Sequence, residues 1–187
     1  MGLYQYLRKN WQSSSLKERM IQWRQEPVTL RIERPTRIDR ARSLGYKAKE
    51  GIFVVRQRII RGGHSRPAMR HGRRSKHMRR VMVLSKSYQW IAEERAAKKF
   101  VNCEVLNSYF VAKDGRHYWF EVIMVDKLHP AVLHDPALAW IAQGQHTRRA
   151  FRGLTASGKR SRGILTNVGF GSEKLRPSIT ANRNRRK

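Results

Sequence analysis

Acidic residues are scarce in this sequence. Thirteen aspartates and glutamates stand against 41 lysines and arginines among 187 residues, a formal net charge of +28 and a pI near 11.6. So few carboxylates, and those scattered, leave no candidate acid/base pair and weaken any reading as a hydrolytic enzyme. Cysteine occurs once, at Cys103, so no intrachain disulfide can form. The same scarcity removes a CxxC partner for the histidines. His64, His71 and His77, and His129 with His134, have no zinc-site spacing. No apolar run approaches the roughly 20 residues that span a bilayer. The opening MGLYQYLRKNW has no long apolar stretch and no small-residue cleavage site, and Tyr6 breaks the myristoylation pattern. A soluble, intracellular chain without metal or cofactor is the expectation.

The excess of positive charge is itself informative. A surface so charged repels itself unless a polyanion neutralises it, and nucleic acid is the first candidate. The charge is unevenly placed. Residues 31–90 hold 18 Lys/Arg against 3 acids, and residues 141–187 hold 12 against 1, while residues 91–140 hold 6 against 7. A near-neutral module is therefore flanked by basic arms. This divides the chain into a basic N-terminal helical extension (1–50), an α+β core with a basic loop at 62–80 (51–140), and a basic C-terminal extension (141–187).

The neutral part carries clear patterns. In SYQWIAEERAAKKF the residues Tyr88, Ile91, Ala92, Ala96 and Phe100 share a helical face, and Ser85 or Ser87 can cap its start. Glu93 and Glu94 read as first-turn acids favoured by the helix dipole. CEVLNSYFVA and HYWFEVIMVD are strand-like and meet across Asp114-Gly115, which supports a tight turn with positive φ. GIFVVRQRIIRGG (51–63) is a third strand candidate. The order strand, helix, strand, strand predicts an α+β fold, a small antiparallel sheet with a helix on one face. LYQYLRKNW and LKERMIQWRQ are short helix candidates, the second with a capping box from Ser15 and Glu18 and a stop at Pro27. IDRARSLGYKAKE can hold a helix ending at Gly45. GGHSRPAMRHGRRSKHMRR (62–80) and the tail KLRPSITANRNRRK have too few aliphatic side chains to bury themselves. Extended, 62–80 reaches roughly 60 Å at ~3.3 Å per residue.

GLTASGKR (153–160) nearly matches a phosphate-cradling loop, with Gly153, Gly158 and Lys159 in place. Arg160 stands where a magnesium-binding hydroxyl belongs, and no buried strand precedes it, so nucleotide hydrolysis is not the expectation. Its chemistry still suits RNA. Arg152, Lys159, Arg160 and Arg162 supply charge, Thr155 and Ser157 supply hydroxyls, and the glycines let the backbone approach a surface. RPTRIDRARSLGYKAK offers Arg34, Arg37, Arg40, Arg42, Lys47 and Lys49, with Tyr46 either stacking on a base or anchoring the segment. The further RNA candidates are Arg61, Arg66, Arg70, His71, Arg73, Arg74, Lys76, Arg79, Arg80, Arg148 and Arg149. Cys103 is read as a small buried residue at a strand start.

Four blocks carry a family resemblance: RPTRIDRARSLGYKAKEGIFVVR followed by IRGG, AEERAAKKF, VLNSYFV with FEVIMVD, and RGLTASGKRSRG. On these the sequence resembles the large-subunit ribosomal protein shared by archaea and eukaryotes, the fifteenth of the eukaryotic series. The tail SEKLRPSITANRNRRK looks more like the archaeal branch. The resemblance spans roughly residues 1–165. It implies a β-α-β-β core, extensions set in large-subunit ribosomal RNA, neighbouring ribosomal proteins as partners, and no catalysis. General nucleic-acid packaging, another RNA-binding role and a nuclease are the rival readings. The long specific blocks and aromatic core argue against packaging, and the missing carboxylate cluster argues against a nuclease.

Overall fold

A computed structural model describes residues 2–11, 16–63 and 86–165. Its elements run α1 (Leu3–Lys9), α2 (Lys17–Gln25), β1 (Thr29–Ile32), α3 (Ile38–Ser43), β2 (Ile52–Ile60), α4 (Tyr88–Lys99), β3 (Cys103–Lys113), β4 (His117–Asp126), α5 (Pro130–Leu133), two 3-10 turns (Ala139–Ala142 and Gly144–His146), and α6 (Ala156–Ser161). The strands form one antiparallel sheet in the order β1-β2-β4-β3. The expected α+β class is present. The added feature is β1, four residues with an arginine and a threonine, too short and too polar to stand out in the sequence.

Both faces of the sheet are covered, where one helical layer was expected. Pairing sets Val54 opposite Ile123 and Val55 opposite Val122. On one face Ile52 and Val54 of β2 meet Trp119, Ile123 and Val125 of β4, under Leu16, Trp23, Ala41, Tyr46 and Val132 from the surrounding helices and loops. On the other, Val55, Ile59, Phe120, Val122 and Met124 pack on Ala92, Ala96 and Ala97 of α4. This explains the unbroken apolar run in β4: a central strand buried on both sides has no face to leave polar. Ser87 caps α4, its hydroxyl accepting from the Trp90 N–H. The Ser15 cap expected for α2 lies outside the described residues.

The β3–β4 hairpin forms, but not through a positive φ at Gly115. The Asp114 carboxylate instead accepts the backbone N–H groups of Arg116 and His117, and closes the turn from its side chain. Bulges at Leu106 and Val111 interrupt β3, so Tyr109, Val111 and Ala112 pack with Trp119 while Cys103 and Val105 pack with α4.

Candidate nucleic-acid interface

The RPTRIDRARSLGYKAK block folds about α3. Gly45 takes φ +98° just beyond the helix; its N–H donates to the Arg42 carbonyl, and the Tyr46 N–H donates to that of Ala41. This end motif points Tyr46 inward, where it is 9% exposed, so Tyr46 anchors the block and does not present a ring to solvent. Asp39 is buried, 3.6 Å from Arg37 and 3.7 Å from Arg8. Arg37 also lies over Trp11 at 4.6 Å. The block's cations therefore divide. Arg37 belongs to the packing, while Arg34, Arg40 and Arg42 are exposed, Arg42 near the Tyr4 ring. Lys47 and Lys49 both pair with Asp135, at 3.2 and 2.8 Å. These charge-assisted bonds hold the Asp135 carboxyl down at about 2.

The 148–162 block is more deeply committed to the fold. Thr155 is fully buried. It caps α6, accepting the Gly158 N–H, and its hydroxyl donates to Glu93. Ser157 is buried too. Thr155, expected to reach RNA, is turned into the protein, while Ser157, beside it at 3.3 Å between hydroxyls, also borders the cleft described below. Gly153 and Gly158 pack backbone to backbone, and a Cβ on Gly158 would lie 2.6 Å from the Gly153 Cα. These glycines serve internal contact, not the approach of an outside surface. A helix does follow the loop, but the preceding residues 147–153 are turns, so no strand-loop-helix phosphate cradle exists.

Arginines here reach main-chain carbonyls. Arg149 donates to Val105 O (2.7 Å) and Leu106 O (3.1 Å) and stacks on Trp140. Burial pulls its pKa below the ordinary guanidinium value, against the pull of Glu93 and Glu104. Arg152 holds the carbonyls of Thr147 and Gln145, and Arg162 that of Gly153. Arg61 holds that of Asp114 and lies over Tyr118. Arg148 stays exposed beside Phe151. Lys159 and Arg160 on α6 are exposed.

Glu93 is the other correction. It is not in the first turn of α4 but on its buried side, receiving the Ser108 and Thr155 hydroxyls. Burial raises its pKa above 4.5, with those hydrogen bonds opposing. Glu121 is similarly raised by burial, and accepts from the Thr36 N–H and the Tyr109 hydroxyl.

Ser108 and Tyr109, which bond these two carboxylates, also border a cleft of about 360 Å³. Its floor is the outer edge of β3, from Asn107 to Phe110. One wall carries Arg8, Arg37, Arg40 and Leu44. The other carries Gln89 of α4 with Ala156, Ser157 and Arg160 of α6. Two sequence blocks that lie far apart, around Arg40 and Arg160, meet on one concave, cationic surface.

The chain matches the family model described as Ribosomal L15 across residues 2–182. It belongs to that family. Ribosomal L15 is a structural, non-enzymatic kind of protein of the large ribosomal subunit, and RNA binding is typical of it. In this Ribosomal L15 chain, sequence reasoning found Arg37, Arg40 and Arg160 but missed Arg8, Gln89, Asn107 and Phe110 as cleft residues. Arg8 sits in an unremarkable short helix. The β3 bulges hide which residues of that strand reach the edge. Arg66, Arg70, His71, Arg73, Arg74, Lys76, Arg79 and Arg80 lie outside the described residues, as do most of 62–80 and the tail.

Proposed function

We infer that this chain clamps folded large-subunit ribosomal RNA, with a fixed α+β core that sets position and basic arms that thread between RNA helices. The observation that carries this reading is the convergence of Arg40 and Arg160 on the cleft. Among the described residues neither guanidinium has an ion-pair or hydrogen-bond partner, while most other arginines of their blocks are used internally. Unpaired guanidinium forks suit phosphate oxygens. Arg34, Arg42, Arg148 and Lys159 extend this exposed set, and the cations of 62–80 and the tail add charge at longer reach. The 1–50, 51–140 and 141–187 division enters this reading as a division of charge: β1, α3 and α6 pack on the 51–140 core, and the cations the flanking parts expose face the RNA. The site of action is cytoplasmic, with neighbouring large-subunit proteins beside the RNA.

Crosslinking in cells expressing the tagged chain tests the reading. Sequencing of the recovered RNA should return large-subunit ribosomal RNA, with clustered crosslink sites. Recovery of messenger RNA or DNA in its place would overturn it.

A further inference from the structure

The cleft differs from a flat basic patch in what its floor and walls combine. Phe110 is 37% exposed although it belongs to an aromatic row, edge-on to Tyr118 and Phe120 at 6.1 and 6.0 Å. Gln89 spends its Nε2 on the Ser108 carbonyl and hydroxyl, at 2.9 and 2.8 Å, and its Oε1 is engaged by no described group. Asn107 spends its Oδ1 on the Ser108 N–H, which leaves Nδ2 unengaged among the described residues. One free acceptor and one free donor therefore line the same cleft as an exposed ring and two unpaired guanidiniums. Duplex RNA cannot bring a base face or a Watson–Crick edge into such a concavity, because the faces are stacked and those edges are paired with one another. A base turned out of its stack can enter, stack on an aromatic ring and be read by amide groups.

We propose that this cleft holds a single unstacked RNA nucleotide, its base against Phe110 with its edge toward Gln89 and Asn107, and its phosphate between Arg40 and Arg160. The volume suits one nucleotide, at the small end of ordinary ligand pockets of about 300–1,000 Å³. The assignment rests on the RNA-binding reading above and narrows it to one conformation of RNA. Its consequence is selectivity: the cleft prefers a bulged or looped RNA element to a regular duplex, over and above the general attraction of the chain's net charge.

The test uses the full chain with a short single-stranded oligoribonucleotide bearing one 4-thiouridine, and a duplex of the same sequence. Stacking of one base on an aromatic side chain corresponds to roughly a five- to hundredfold change in affinity. Phe110→Leu should lower single-strand affinity by about fivefold or more, Phe110→Trp should retain it, and duplex affinity should move in neither. The photo-crosslink in the parent chain should map to residues 107–110, a readout that stands even where a variant folds poorly. Equal losses for single strand and duplex, or unchanged single-strand affinity in folded Phe110→Leu, would overturn the nucleotide site and leave general RNA binding standing. So would crosslinks confined to residues outside the cleft. If the parent chain binds neither RNA, the broader reading falls with it.

Discussion

Gly158 rests directly on Gly153: a methyl group at 158 would sit 2.6 Å from one backbone carbon of Gly153 and 2.8 Å from the next. Neither neighbour is a flexible side-chain end, so something in the backbone must shift. Gly153 is itself held at φ +63° beneath the Trp90 ring. Gly158→Ala should therefore cost about 1–3 kcal/mol, the range for overpacked interiors. Gly115→Ala, where a Cβ meets nothing within 4 Å, should cost little. Chemical denaturation of the two variants checks the contrast.

Glu93 gives a pH prediction. Its folded-state pKa is raised by burial, so the charged form is the one the fold disfavours. The sign follows: the cost is absent below the unfolded value near 4.5 and accumulates as pH rises toward the folded pKa. Glu93→Gln, neutral and of the same shape, escapes it. Relative to the parent, this variant should gain stability between pH 4 and pH 7. Glu93→Ala should instead lose about 2 kcal/mol or more at either pH, since the Ser108 and Thr155 hydroxyls lose their buried partner. Denaturation midpoints across pH measure both; a Gln variant that weakens relative to the parent as pH rises would show that the carboxylate is charged and needed.

Arg149 protects an edge. β3 is the last strand of the sheet, and the outward carbonyls of Val105 and Leu106 are taken by this one guanidinium. The Gln89 amide takes that of Ser108. Unpaired edge groups invite pairing with another chain. Arg149→Ala should lower stability by about 2–3 kcal/mol, as for hydrogen bonds from a charged donor, and should raise light scattering with protein concentration. Arg149→Lys should rescue it only partly: both carbonyls accept from the single terminal nitrogen Nη1, and an ammonium on a shorter stem lacks the flat guanidinium face that stacks on Trp140.

The order of elements from β2 to β4 was legible because each announces itself locally: helical spacing in Tyr88–Phe100, β-rich runs around Asp114, a serine cap before α4. β1 was not, being four residues whose stability comes from pairing with β2. The second helical layer was hinted at only by the absence of alternation in FEVIMV. For the interface, composition located the basic blocks but could not divide them. Arg37 and Arg40 look alike in sequence; only the turn of α3 sends one to Asp39 and Trp11 and the other to the cleft. Thr155 likewise reads as a surface hydroxyl until its partner Glu93, distant along the chain, is placed beside it.

The central claim is that the exposed, unpaired cations bind RNA and the internally bonded ones maintain the fold. The most direct measurement is the salt dependence of affinity for a large-subunit ribosomal RNA fragment. It compares the parent chain, the Arg34→Ala/Arg40→Ala/Arg160→Ala variant, and Arg37→Ala. Each phosphate contact releases counterion, worth slightly under one unit of log–log slope by the duplex-DNA estimate, and ~6–10 contacts give a loss of about 10³–10⁵ between 50 and 200 mM salt. The triple variant should lose up to about three contacts' worth of slope and keep the parent's thermal transition. Arg37→Ala should keep most of the slope and melt earlier, since it removes a partner of buried Asp39. A triple variant with the parent's slope, or an Arg37→Ala variant with the parent's melting temperature and a flattened slope, would contradict the account.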